Sequence, residues 1–257
     1  MPCLFISLGT SPAIVPEAFL FPDVSFDAVH VLTTEKPEIA WVREWFRERA
    51  PWVRLTISRV DGFSDFKSEE EHFHFEEVLY RWIIAANVPP SQRFISLAGG
   101  FKTMSAAMQK AAAVLGAAEV FHVLCNLPLD RQPRTAEQID AACEAGHLQW
   151  IRLGPESGWP QFAACGDDEY PLVTKPKSED ACWISAPDHS FRKRLAEVVE
   201  RSHRIAGHWE QISDLPFAEL ATVSPSRLAW LNESVSPVDD RDWVTAFPKI
   251  DLHCHLG

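Results

Sequence analysis

The alternation of short apolar runs with helical stretches is the feature of this sequence that most restricts its fold. Five runs rich in Val, Ile, Leu and Phe predict β-strands at 3–9, 26–34, 52–58, 93–100 and 118–126. These runs are apolar almost throughout, as in strands that are covered on both faces. Because a helical stretch follows each of the first four runs, we predict an α/β fold with a Rossmann-like, doubly wound and mostly parallel sheet.

The regular alternation of predicted strands and helices ends after residue 130. Residues 134–146 predict a helix and residues 147–154 a further strand, and a loop-rich stretch with several Gly and Pro residues follows. A clear helical period then runs through residues 189–207. We therefore predict a Rossmann-like domain at 1–155, a smaller mixed α/β extension and connector at 156–246, and a short final segment at 247–257.

Composition excludes several classes of protein. The net charge of −12 argues against a broad basic face for duplex nucleic acid. No apolar run reaches about 18 residues, so no membrane span is predicted. The start of the chain lacks the basic region of a signal peptide, and the six cysteines lack C-x-x-C spacing. These features predict reduced thiols and a cytoplasmic location.

The first loop that could carry chemistry lies in "ISLGTSPAIVPEAF". Gly9 frees the backbone at the end of a predicted strand, and Thr10 and Ser11 offer hydroxyl groups. Ser11 is predicted to be the N-cap of the next helix, with Pro12 at the first helical position. In doubly wound sheets, ligands bind at such carboxyl ends of strands.

The second such loop lies in "ISLAGGFKTMSAAM". Gly99 and Gly100 let a ligand approach the backbone closely, and Lys102 and Thr103 fall in the first helical turn. A lysine there opposes the helix dipole, which favours anions at that end by about 0.3–1 kcal/mol. This misfit is explained if an anion binds the free N–H groups and Lys102 helps to hold it.

Each loop taken alone has a purely structural alternative, since a Gly-Gly is often only a turn and a Ser-Pro only a cap. Two such loops at the carboxyl ends of predicted strands favour a ligand site. Neither loop matches the dinucleotide fingerprint G-x-G-x-x-G or the phosphate-binding loop G-x-x-x-x-G-K-[ST]. NAD-dependent and ordinary ATPase functions therefore lose their main support.

The pair "SLGTSPAIVPEAF" and "SLAGGFKTMSAAM" resembles the CARF domains of type III CRISPR systems, which sense cyclic oligoadenylates. The resemblance covers about residues 1–155. It implies a homodimer in which the ligand loops of both protomers face one shared pocket. Each protomer then makes the same contacts with a symmetric ring. The sequence does not decide whether a longer chain forms oligomers larger than a dimer.

The resemblance also implies roles for particular residues. Phosphate or ribose contacts are expected from Gly9, Thr10 and Ser11, and a second phosphate-binding loop from Gly99, Gly100, Phe101, Lys102 and Thr103. Because Thr33 and Thr34 end the second predicted strand and Asn126 ends the fifth, we also expect weaker rim or base contacts from these three residues. The segment 60–71 is either a lid, with Phe63 or Phe66 covering an adenine, or a plain surface loop.

The last residues, "FPKIDLHCHLG", resemble the opening strand of the adenosine deaminase family. In that family the two histidines of this motif, here His253 and His255, are zinc ligands. The family's other ligands and its catalytic glutamate come much later, and this sequence does not contain them. We expect a CARF–deaminase fusion that is cut where the deaminase begins, with zinc in the full-length enzyme but no cofactor in this non-catalytic chain.

The leading hypothesis is therefore a sensor of cyclic tetra- or hexa-adenylate that allosterically activates a deaminase in antiviral defence. The first alternative is a ring nuclease, which cleaves the ring without a metal by in-line attack of a ribose 2′-OH. The second alternative is an unrelated Rossmann enzyme that binds a mononucleotide or S-adenosylmethionine. The size of the ring is not fixed by the sequence.

Overall fold

The structure is a computed structural model, which describes residues 1–35, 37–62, 66–128, 131–162, 165–166, 168–177 and 181–213, with side chains to residue 204. The chain divides into two compact units, Met1–Glu197 and Val198–Gly257. The histidines His253 and His255 and the lid candidate Phe63 lie outside the described residues. No described helix is both long enough and apolar enough to span a bilayer.

The first unit is built on one eight-stranded sheet. Its strands are β1 (Cys3–Leu8), β2 (Ala28–Thr33), β3 (Arg54–Val60), β4 (Arg93–Ser96), β5 (Ala117–Cys125), β6 (Leu148–Glu156), β7 (Val173–Lys175) and β8 (Cys182–Ser185). They are arranged in the order β6-β5-β4-β1-β2-β3-β8-β7. The six central strands are parallel, and the two edge strands β6 and β7 are antiparallel to their neighbours. The predicted Rossmann-like α/β fold is confirmed.

Helices cover both faces of the sheet. They are α1 (Ile14–Phe19), α2 (Ala40–Arg49), α3 (Glu69–Ala85), α4 (Lys102–Leu115), α5 (Ala136–Glu144) and the start of α6 (Ser190–Ser213), which belongs to the first unit up to Glu197. Leu4, Ile6 and Leu8 of β1 pack with the apolar side chains of α1 and α2. Phe5 points to the opposite face, where its ring lies 5.3 Å from the ring of Trp82 in α3. All six residues of β1 are buried, as expected for a strand covered on both sides.

Two predicted boundaries differ from the structure at the ligand loops. Strand β4 ends at Ser96 and not at Gly100, because Gly100 has φ +81°, which a strand does not allow. Helix α1 begins at Ile14, so the prediction that Ser11 is its N-cap is wrong. The later start places Pro16 in the first helical turn, where a proline is tolerated because its missing N–H has no helical partner.

Strands β7 and β8 are not predicted by the sequence pattern. They lie within the residues that we assign to the extension, and β8 pairs in parallel with β3 through Ser58–Val60. The extension therefore adds strands to the Rossmann-like sheet, and the domain boundary at residue 155 stays a prediction.

Candidate functional site

The two predicted ligand loops meet where the strand order of the sheet reverses. The chain runs from β1 through β2 to β3 on one side of the sheet, then returns to form β4 and β5 on the other side of β1. Strands β1 and β4 are parallel neighbours, so the loops that follow them lie side by side. In open α/β sheets this switch point is where ligands bind.

Close backbone contacts fix the second loop against the first strand. A Cβ atom at Gly99 would lie 1.7 Å from the carbonyl oxygen of Ser7, a distance that no side chain can occupy. The carbonyl oxygen of Gly99 accepts hydrogen bonds from the hydroxyls of Ser7 (2.9 Å) and Ser105 (3.1 Å). The loop is therefore held by β1 on one side and by α4 on the other.

The two loops also touch each other through their glycines. A Cβ atom at Gly9 would lie 2.9 Å from the Cα of Gly100, and one at Gly100 would lie 2.9 Å from the hydroxyl of Ser7. Gly100 adopts φ +81°, which is strained for any other residue. The glycines let two strand ends converge without side chains between them. Gly9 and Gly99 are buried at this contact, and Gly100 is exposed.

Groups that bind anions lie free at the start of α4. Within the part of the chain that the structure describes, no group accepts a hydrogen bond from the N–H of Gly100, Lys102 or Thr103. The Lys102 side chain is exposed and forms no ion pair with a described carboxylate. Since free N–H groups and the helix dipole both attract negative charge, this end of α4 can bind a phosphate.

A cavity of about 280 Å³ opens beside these loops. Four of the predicted site residues line it, namely Thr10, Ser11, Gly99 and Gly100. The end of β5, Val123–Cys125, and the following residues Gln132 and Pro133 complete the wall. Small-ligand pockets usually measure about 300–1,000 Å³, so the cavity suits one nucleotide unit and not a whole ring of several.

Glu17 is the one charged side chain among the described residues that line this cavity. It lies on α1 and is 6% exposed. Burial raises its pKa from 4.5 to about 6. The backbone carbonyl of Glu17 accepts a hydrogen bond from Trp150 Nε1 (3.0 Å), which ties α1 to β6. Sequence analysis did not identify Glu17; the only signal is a carboxyl between apolar neighbours in "IVPEAF".

The remaining predicted residues lie around the cavity without lining it. Phe101 is half-buried, Thr103 is exposed in the first turn of α4, and Asn126 is exposed just beyond the end of β5. Thr33 and Thr34 are fully buried, and the Thr33 hydroxyl donates to the carbonyl oxygen of Leu8 (2.7 Å). In this conformation the two threonines offer no accessible group, and their ligand contacts stay a prediction.

The predicted lid segment reaches the second loop through one aromatic contact. The ring of Phe66 lies 5.8 Å from the ring of Phe101 in an edge-to-face arrangement, and 5.2 Å from Phe75 of α3. The segment that contains Phe66 is therefore anchored next to the loop that begins α4. A lid and a plain surface loop both allow this contact, so the choice between them stays a prediction.

Two neighbouring carboxylates of α3 connect α4 to the start of α6. Glu76 accepts from Lys110 Nζ of α4 (3.1 Å) and from Arg192 Nε of α6 (3.0 Å). Glu77 is fully buried and accepts from the backbone N–H groups of Phe191 (3.0 Å) and Arg192 (2.9 Å). Glu76 therefore joins α4, which also carries Lys102, to the start of α6.

A second, larger cavity of about 590 Å³ lies apart from the two glycine loops. It is lined by His30, Thr56 and Trp82 among others, and by no residue of the two glycine loops. Burial lowers the pKa of His30 to about 4, and the Nε2 atom of its ring is inaccessible. Across the described residues, no group of three or more His, Cys, Asp or Glu side chains could hold a metal ion.

The fold and the site define a Rossmann-like domain with a candidate nucleotide cavity at the switch point of its sheet. Residues 25–149 match a family described as CRISPR-associated protein NE0113. The match covers slightly less than half of the chain and supports a CARF domain in this region. It includes the second loop but begins after the first loop and Glu17, and it does not reach the deaminase-like residues. No curated protein matches the chain.

Among solved structures, one match is Csm6 of Enterococcus italicus bound to cyclic hexa-2′-fluoro-hexa-dAMP. The aligned part covers 60% of this chain and 41% of that chain, at 11% sequence identity and a TM-score of 0.39. The chain thus spans less than half the length of that Csm6 chain.

Proposed function

We propose that this chain is a sensor that binds a cyclic oligoadenylate in the cavity at the β1–β4 switch point. The observation that carries the proposal is the convergence of two glycine loops, with free N–H groups and an exposed Lys102, beside a cavity of nucleotide size. The match of residues 25–149 to a CRISPR-associated family supports the same function.

The size of the cavity supports a shared site. A space of about 280 Å³ holds one nucleotide unit, so a ring of four or six adenylates needs contacts beyond one protomer. A homodimer with both cavities facing one ring satisfies the symmetry of the ligand. One ring per two chains is the expected stoichiometry.

The proposed output passes from α4 through Glu76 to the start of α6 and on to a deaminase of the adenosine deaminase type. Ligand binding can act on that effector only if the two conformations differ in affinity for the ring. The deaminase part, with zinc held by His253 and His255, rests on the resemblance of residues 247–257 alone. We derive no catalytic step from it.

Calorimetric titration of the chain with cyclic tri-, tetra- and hexa-adenylate, beside linear controls, tests the binding. We expect tight binding of one ring per dimer, with a large loss in Lys102→Ala. Lys193→Ala serves as the matched control, because Lys193 is an exposed lysine on α6. Sedimentation with and without the ring measures the oligomeric state.

Chromatography of the recovered ligand separates the sensor from the ring nuclease. An intact ring supports a sensor alone, whereas linear products would make the chain a ring nuclease as well. Binding of a mononucleotide or S-adenosylmethionine in place of any ring would contradict the proposal and favour a nucleotide-using enzyme.

A separate experiment tests whether ligand binding is transmitted to α6. Amide hydrogen exchange of residues 190–197 is expected to change when the ring binds, because Glu76 holds Arg192. The same change is expected to be absent in Glu76→Ala although the ring still binds. An equal change in both proteins would show that Glu76 does not transmit the signal.

A further inference from the structure

Glu17 is an unusual residue to find beside a phosphate-binding loop. It lines the same cavity as Gly99 and Gly100, and it is almost fully buried. Within the described parts of the chain, no donor forms a hydrogen bond with its carboxyl group, and no cation lies close enough to offset its charge. Burying an unpaired carboxyl destabilises a fold, and residues that break such rules are expected at functional sites.

The charge of Glu17 decides which part of a nucleotide can lie next to it. A carboxylate repels phosphate, and the phosphate groups have a better place at the start of α4, beside Lys102. The part of the ligand that approaches Glu17 must instead present an N–H or O–H donor. A nucleotide unit in this cavity is therefore expected to lie with its phosphate toward α4 and a donor toward α1.

The walls around Glu17 suit a nucleobase. Ile14, Ala98, Val123 and Leu124 line the cavity with apolar atoms, as the faces of a planar base require. In an oligoadenylate the available donors are the exocyclic amine of adenine and the ribose 2′-OH. The same cavity offers polar groups at Thr10, Ser11 and Gln132, which can bind the ribose hydroxyl. The apolar side chains and Glu17 are then left for the base and its amine.

We propose that Glu17 accepts a hydrogen bond from the exocyclic amine of an adenine and thereby selects adenine over bases that lack a donor at this position. This inference rests on the proposed function. The family match begins after Glu17, so the assignment depends on the geometry of the cavity alone. The raised pKa of Glu17 agrees with a buried carboxyl group that has no hydrogen-bond donor in the described parts of the chain.

The test compares cyclic tetra- and hexa-adenylate with the same rings built from purine riboside, in which the exocyclic amine is absent. For the unchanged protein we expect the adenine ring to bind about tenfold or more tightly than the ring without the amine, because one hydrogen bond to a charged group is lost. Glu17→Ala is expected to bind both rings with similar affinity.

Two further variants keep the result interpretable. Glu17→Gln has nearly the shape of glutamate and retains a carbonyl acceptor, so we expect it to fold and to keep a reduced preference for adenine. Glu144→Ala removes an exposed glutamate of α5 and is expected to keep the full preference. Circular dichroism of each variant shows whether the fold is retained.

Binding of both rings with equal affinity by the unchanged protein would overturn the role of Glu17 and leave the sensor function intact. A loss of affinity with rings that carry 2′-fluoro groups, together with no effect of the amine, would assign Glu17 to the ribose and also overturn it. Failure of every ring to bind would instead contradict the sensor function itself.

Discussion

The burial of Glu17 leads to a prediction about folding stability that needs no ligand. Burial raises the pKa of Glu17 from 4.5 to about 6, and desolvation is the cause. The folded state therefore holds this proton more tightly than the unfolded state does. Stability is lost as the pH rises from about 4.5 to about 6 and changes no further above that range. This rise in the pKa of Glu17 corresponds to about 2 kcal/mol of stability.

Glu17→Gln removes the titrating group and nearly preserves the shape of the side chain. At about pH 4 the carboxyl is protonated, so we expect the variant and the unchanged protein to differ little in their free energies of unfolding. At about pH 7.5 we expect the variant to be more stable by about 2 kcal/mol, because the charged form no longer has to be buried. A residue that binds the ligand then reduces the stability of the free protein.

Urea unfolding at the two pH values measures this difference, with the fluorescence of the ten tryptophans as the signal. Glu144→Gln, at an exposed position of α5, is the control and is expected to change little at either pH. A Glu17→Gln difference that is the same at both pH values, or a variant that is less stable at about pH 7.5, would refute the reasoning from burial.

Three further predictions concern the loops and the start of α6. Gly99→Ala is expected to lower the free energy of unfolding by about 1–3 kcal/mol or more and to abolish ring binding, because its Cβ overlaps the Ser7 carbonyl; urea unfolding and calorimetry measure both, and an unchanged protein would contradict the close contact. Glu77→Ala is expected to cost about 3–5 kcal/mol, because it leaves buried Arg81 without its buried carboxylate partner; exposed Glu70→Ala is the control in urea unfolding, and equal losses would contradict the prediction. Thr33→Val is expected to cost about 1 kcal/mol through the lost bond to Leu8 and to leave ring affinity unchanged, whereas lost affinity at unchanged stability would place Thr33 in the site.

The sequence places both glycine loops at the ends of strands, for physical reasons that are local. Gly9, Gly99 and Gly100 follow apolar runs, and a glycine at the end of a strand is a signal within one short segment. The order of the strands then brings the two loops together, because β1 and β4 are neighbours at the switch point. Only the exact ends of β4 and α1 required the structure.

The parts that the sequence does not predict depend on contacts between distant segments. In the sequence, Glu17 is a polar residue of a short predicted helix. In the structure it is buried because β5 and Trp150 of β6 lie against α1. The link from Lys110 through Glu76 to Arg192 joins three helices. No periodicity within one segment contains that information.

Strand β8 has a consequence for any attempt to shorten this protein. It pairs with Ser58–Val60 of β3, and without it β3 would be the last strand on that side of the sheet. A chain ending at residue 155 would expose the buried backbone groups of β3 as an open edge, and such edges recruit other chains. We expect that fragment to aggregate, whereas a fragment that continues through residue 197 keeps β8 and the start of α6 and is expected to remain monodisperse.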